Sequence, residues 1–185
     1  MEKEFSRRSF LKMGTTAAAA MAVSPSLLMG KEKKGKKAAP QPLDRKLKIL
    51  GVGIGGRGAS VLKGLETEEI IGLCDVDWKY AAHIFERYPN AKRYNDYRVM
   101  FKELLDEADA VMVATADHTH AIIAAEAIAA GKHVYVEKPL THTVYESRLL
   151  TKLAAKHKVA TQMGNQGASE EGVNLACEWL WNGEI

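Results

Sequence analysis

The chain has 185 residues, 46% hydrophobic and 26% charged, a globular composition with room for one domain and not for a second. Its formal charge of +3 is concentrated at the front: residues 31–48 hold eight Lys and Arg against Glu32 and Asp44, while the remainder beyond Lys48 is mildly acidic. That basic run lies in a stretch bearing Gly, Ala and Pro and reads as a solvated tether, which argues against a nucleic-acid-binding face.

Ser6-Arg-Arg-Ser-Phe-Leu-Lys12 matches the twin-arginine export pattern S-R-R-x-F-L-K at every defined position. The following Met13–Gly30 run is alanine-rich, only moderately apolar and broken at Ser24-Pro25, too weak to form a permanent membrane span. Residues 1–30 therefore read as a twin-arginine signal peptide, with Ala20 and Ala22 offering a cleavage site. This predicts passage through the twin-arginine translocase of a bacterium into the periplasm, the protein already folded. Residues 31–46 read as a basic linker that Pro40 and Pro42 hold extended.

Residues 47–185 read as one domain. Leu47, Ile49, Leu50 and Val52 form an apolar run of strand length, and Ala59–Leu65 carries apolar residues at helical spacing. Between them G-x-G-x-x-G fits in two registers, Gly51/Gly53/Gly56 and Gly53/Gly55/Gly58; the second leaves the strand whole. In that register Gly53 makes the tight turn, Gly55 lets a pyrophosphate approach the backbone, and Gly58 packs the helix closely on the strand. The next strand, Glu69–Cys74, ends in Asp75, about 20 residues on, where a carboxylate meets the hydroxyls of an adenosine ribose.

Asp77 is the expected N-cap of a helix running to Tyr88 and stopped by Pro89; an extended piece follows around Tyr94. The helix Tyr97–Ala108 carries Val99, Met100, Leu104 and Leu105 as an apolar stripe expected in the core. Ala110–Ala114 reads as a buried strand ending in Thr115-Ala-Asp-His-Thr-His120, and helix Ala121–Ala130 is closed by Gly131. Strand His133–Val136 ends in Glu137-Lys138-Pro139, helix Val144–Lys156 leads to strand Val159–Met163, and the turn Gly164–Gly167 opens the final helix Glu170–Asn182. The two cysteines, Cys74 and Cys177, read as unpaired.

Strands alternating with helices at this spacing predict an α/β domain, a Rossmann-type doubly wound parallel sheet of strand order 3-2-1-4-5-6, whose ligands gather at the carboxyl ends of the strands. The polar motifs fall there, directly after the predicted strands.

The segments G-x-G-G-R-G, L-C-D-V-D, A-T-x-x-x-x-H, E-K-P and M-G-N-Q-G resemble the glucose–fructose oxidoreductase, inositol dehydrogenase and MocA family of NAD(P)-dependent oxidoreductases. The likeness spans residues 47–185, and G-K-H-V-Y-V-E-K-P-L is its most specific piece. It implies that Lys138 stands by the nicotinamide and the substrate hydroxyl, and that Asp75 holds the ribose. It implies cofactor contacts from the glycine-loop residues Gly53, Gly55, Arg57 and Gly58; Ile54, Thr115, Asp117, His120, Glu137, Asn165 and Gln166, at the same strand ends, are expected to complete the cofactor site with Asp75 and Lys138. The expected reaction is hydride transfer between NAD, favoured over NADP, and a hydroxyl-bearing carbon of a sugar or cyclitol. The resemblance also implies homo-oligomers and a second α+β domain, expected to be absent from this chain. The family usually has Pro and Asn where Ala116 and Asp117 stand, so a contact expected from an amide must come from a carboxylate or be lost.

Hydride leaves a hydroxyl-bearing carbon only as that hydroxyl loses its proton, so a base must stand beside the nicotinamide. Lys138 is the candidate, expected to be partly buried with Glu137 and Pro139 fixing its backbone. Of His118 and His120, one is expected to face the crevice and the other to cap the helix; a metal on the pair is not expected without a third ligand. Asn165 and Gln166 either reach the nicotinamide amide or shape a turn. Two other functions fit the sequence: a glycoside hydrolase using NAD for a transient oxidation, and a nucleotide-binding module without turnover. The last helix places Val173, Cys177, Leu180 and Trp181 near one face, expected to be left exposed.

Overall fold

The structure, a computed structural model, describes residues 44–184; the expected signal peptide and all but the end of the expected linker lie outside them. Six parallel strands form one sheet: β1 (Lys48–Val52), β2 (Glu69–Cys74), β3 (Lys92–Tyr94), β4 (Ala110–Val113), β5 (His133–Glu137) and β6 (Thr161–Gly164). Their spatial order is β3-β2-β1-β4-β5-β6, the expected Rossmann-type order. The helices are α1 (Arg57–Lys63), α2 (Ala82–Arg87), α3 (Tyr97–Leu104), α4 (His120–Ala129), α5 (Val144–His157) and α6 (Glu171–Asn182).

Alternate residues of the strands face opposite sides, and each side is covered by helices. One core gathers Leu50, Val52, Val111, Val113, Val134 and Val136 under side chains of α3, α4 and α5, including Phe101, Ile123 and Leu150. The other gathers Ile49, Ile70, Leu73 and Met112 under Leu62 of α1 and Ile84 and Phe85 of α2. β1 pairs with β2 on one side and β4 on the other, so the chain winds outward from it in both directions. A crevice therefore opens at the carboxyl end of β1.

Several boundaries differ from the sequence expectation, each for a local reason. Asp77 caps a turn, its Oδ1 accepting from Tyr80 N at 2.9 Å, and regular helix begins only at Ala82. α3 starts as expected, with Asp96 as its cap, but tightens after Leu104 into a single 3-10 turn, Leu105–Glu107. Val99 is 47% exposed although expected in the core: the buried stripe is Met100, Phe101 and Leu104, and Val99 sits a turn-fraction off that face. β6 begins at Thr161 rather than Val159.

At the amino ends of the strands Asp109 ties three pieces together. Its carboxylate accepts from Arg45 Nη1 and Nη2 at 2.6 and 2.7 Å and from Lys48 N at 2.8 Å. The Arg45 hydrogen bonds, with help from Lys48 N, hold the Asp109 carboxyl well below the usual carboxylate range. α6 contributes no side chain to either core, and Val173, Leu180 and Trp181 are exposed along it, as its sequence suggested. Among the described residues no helix is long and apolar enough to cross a membrane.

Candidate cofactor and active site

The turn after β1 is built by its glycines. Gly53 has φ 78°, a left-handed conformation costly for any residue with a Cβ, and a Cβ there would also lie 2.6 Å from Ala114 O. Gly58, at the start of α1, faces the carbonyl oxygen of Gly53 so closely that no Cβ fits, which seats the helix against the turn. Both roles are those expected from the second glycine register. Gly55 is different: a Cβ there would meet the ring of Tyr80, Cδ1 at 2.5 Å. With Gly55 bare, the exposed Tyr80 ring lies directly on the turn.

Asp75 folds back over the same turn. Its Oδ2 accepts from Ile54 N at 2.8 Å and Gly55 N at 2.9 Å, and its Oδ1 accepts from Asp77 N at 3.0 Å. A carboxylate offers about four acceptor positions, so room remains on Oδ1 for about one ribose hydroxyl. The Gly56 N–H has no acceptor among the described residues, which leaves it for a phosphate oxygen. A tight glycine turn with a free N–H, and a carboxylate fixed against it from the end of β2, fit a dinucleotide.

Arg57 bridges from this turn to the end of β5, past β4. Its Nε donates to Glu137 Oε1 at 3.0 Å, and its side chain is 43% exposed against 4% for Glu137. The Glu137 hydrogen bond raises the Arg57 guanidinium above its ordinary range. Glu137 also accepts from Tyr135 OH at 3.2 Å and from Lys138 N at 3.3 Å. The carboxylate thus fixes the Lys138 backbone, as expected, and it is buried and serves protein donors. Tyr135 and Glu137 point to one face, and Gly164 lies opposite Glu137 in the β5–β6 register. A Cβ at Gly164 would be 2.5 Å from Tyr135 Oη and 2.7 Å from Glu137 Oε1.

Lys138 is exposed; the burial expected for its ammonium is not supplied by the described residues. The Lys138–Pro139 peptide is cis. His120 corrects another expectation. It is 1% exposed, with Nδ1 2.7 Å from Pro139 O and Nε2 2.9 Å from Thr115 O. Both ring nitrogens lie against backbone carbonyl oxygens, to one of which a neutral imidazole can donate, and the buried ring sits between the turn after β4 and the E-K-P turn rather than open to the crevice. His118 is the exposed member of the pair. Thr119 also bonds this turn: its hydroxyl donates to Ala116 O at 2.7 Å and lies 2.7 Å from Thr115 Oγ1. Asp117 is exposed in the short 3-10 turn Asp117–Thr119. Asn165 and Gln166 are exposed just after β6, at the far edge of the sheet, where Asn165 N bonds Met163 O at 2.9 Å in a turn.

The turn after β1 thus meets Asp75, the backbone after β4 and, through Arg57, the end of β5, while Asn165 and Gln166 stand apart. Among the described residues no group of three or more His, Cys, Asp and Glu could hold a metal ion. Sequence reasoning missed Tyr80, Tyr135 and the tie made by His120. The i, i+2 spacing of Tyr135 and Glu137 on one strand was the signal available for the second.

Fold and site together define a Rossmann-type dinucleotide-binding domain. Residues 46–165 match the profile of the oxidoreductase family with NAD-binding Rossmann fold, GFO_IDH_MocA, and the chain belongs to that family. Residues 4–24 match the twin-arginine translocation pathway signal sequence, so the chain is exported by that route in bacteria. Inositol 2-dehydrogenase of Salmonella typhimurium is 28% identical over 140 residues, 72% of this chain and 41% of that protein. A glycosyl hydrolase family 109 protein of Shewanella pealeana is 30% identical over 161 residues, 77% of this chain and 35% of that protein. The crystal structure of myo-inositol 2-dehydrogenase from Lactobacillus plantarum superposes with a TM-score of 0.67 at 20% identity, over 76% of this chain and 42% of that one, and speaks to the fold alone. The chain spans about two-fifths of the length of the curated relatives it matches.

Proposed function

We propose that this chain provides the cofactor half of an exported NAD-dependent oxidoreductase that acts on a hydroxyl-bearing carbon of a sugar or cyclitol. Asp75 takes a ribose hydroxyl, Gly56 N–H and the free end of the Arg57 guanidinium take the diphosphate, and bound NAD accepts the hydride. Lys138 acts as general base on the substrate hydroxyl, its backbone held by Glu137 and its turn by His120 through Pro139 O. The observation that carries this reading is the Arg57–Glu137 ion pair. It joins the glycine turn to the strand that ends in Lys138, so nucleotide and base are set by one network. Export of an already folded protein suits a domain that loads its nucleotide in the cytoplasm.

A glycoside hydrolase that oxidises its sugar transiently with NAD is the second reading, favoured by the Shewanella relative. The two separate in one assay on the purified protein. Net growth of the reduced-nicotinamide absorbance with NAD and inositol or free sugars supports the first; release of nitrophenol from nitrophenyl glycosides without net reduction supports the second. Binding of NAD with neither signal points to a nucleotide-binding module.

A further inference from the structure

Tyr80, which lies against Gly55, has been given no ligand of its own, yet its position beside the glycine turn points to one. The segment after β2 is wired back onto the glycine turn residue by residue. Asp75 accepts from Ile54 N and Gly55 N, Asp77 N donates to Asp75 Oδ1, and Tyr80 N donates to Asp77 Oδ1. The relay lays the Tyr80 ring against Gly55, with its hydroxyl 3.4 Å from where a Cβ of Gly56 would be. The residue is nevertheless 61% exposed, and the hydroxyl has no hydrogen-bond partner among the described residues. A large aromatic held over a glycine turn, with its polar end free and beside the free Gly56 N–H, is placed for a ligand rather than for the core.

We propose that Tyr80 is a cofactor-binding residue whose hydroxyl donates to the diphosphate of NAD as the diphosphate crosses Gly55 and Gly56. The proposal rests on the reading of this turn as the NAD site. A phenol O–H is a donor at neutral pH and a diphosphate oxygen is an ionised acceptor, so the bond is charge-assisted. Asp75 only accepts and cannot take this role, and Arg57 spends its Nε on Glu137, so the Tyr80 hydroxyl adds a donor to the one the free guanidinium end offers.

Calorimetric titration of the purified protein and its Tyr80→Phe and Tyr80→Ala variants with NAD, ADP and adenosine tests this. Phe keeps the ring and removes only the hydroxyl, at an exposed site where the fold is indifferent. NAD and ADP should bind Tyr80→Phe about tenfold more weakly than wild type, the loss expected for one charge-assisted hydrogen bond. Adenosine, which has no phosphate, should change by less than about twofold. Tyr80→Ala should lose at least as much as Tyr80→Phe for NAD. Unchanged NAD affinity in Tyr80→Phe, or an equal loss for adenosine, overturns the proposal while leaving the NAD site standing. A wild-type protein that binds none of the three overturns both.

Discussion

Replacing Arg57 by Met should destabilise the domain more than replacing Glu137 by Gln, although both remove the same ion pair. The Glu137 carboxylate is buried, and without Arg57 it keeps only Tyr135 OH at 3.2 Å and Lys138 N at 3.3 Å, two long hydrogen bonds from neutral donors. Stranding a buried charge costs about 3–5 kcal/mol. Because the Arg57 side chain is 43% exposed, water can enter where it stood, and we reduce the figure to about 2 kcal/mol. Glu137→Gln leaves a neutral amide whose oxygen still accepts from Arg57 and Tyr135, and Arg57 itself remains solvated, so the loss is about 1 kcal/mol. The double variant should be about as stable as Glu137→Gln alone, since no buried charge is left to strand. Urea denaturation followed by circular dichroism reads this directly. With a slope of about 2 kcal/mol per molar, the midpoint should fall by about 1 M for Arg57→Met and about half that for Glu137→Gln. Additive losses in the double variant, or a larger loss for Glu137→Gln, would refute the account of this network.

Three further outcomes follow from the same geometry. Asp109, whose carboxyl Arg45 and Lys48 N hold low, contributes stability that is full above the ordinary carboxylate range near pH 4 and is lost as pH falls through its lowered folded value; an acid titration of Asp109→Asn should therefore lack that step and show lower stability at pH 7. Cys74 is buried and its thiol is pushed up to about 12, by burial first and then by Asp75 and Asp96, so iodoacetamide at pH 8 on the native protein should label Cys177 and spare Cys74, and mass spectrometry finding native Cys74 modified would contradict that. Changing Arg7 and Arg8 to Lys should leave the protein in the cytoplasm with its melting temperature unchanged, and cell fractionation recovering it from the periplasm would count against the export reading.

Much of the fold was legible because its signals are local. Central parallel strands are continuous apolar runs, glycine and proline punctuate them, and Gly53, Gly58 and Asp75 fall at the spacings of a glycine turn followed by a strand-end carboxylate. What was not legible depends on chain segments meeting at a distance. Tyr80 lies in a polar stretch like any other until the relay through Asp75 and Asp77 lays it on a turn 25 residues earlier. His120 sits in a polar motif at a strand end, where crevice exposure is the natural expectation; Pro139 O, 19 residues on, is what covers it and takes its Nδ1. Val99 was misplaced because Met100, Phe101 and Leu104 set the phase of α3, and a stripe drawn through Val99 is rotated by one residue.

The central claim, that Asp75 and the glycine turn form an NAD site, is tested most directly by titrating the purified protein with NAD and with NADP under one buffer and salt condition. The Asp75 carboxylate accepts from a ribose hydroxyl and repels a 2′-phosphate, so NAD should bind at least about tenfold more tightly than NADP. Tighter binding of NADP, or no binding of either, would contradict it.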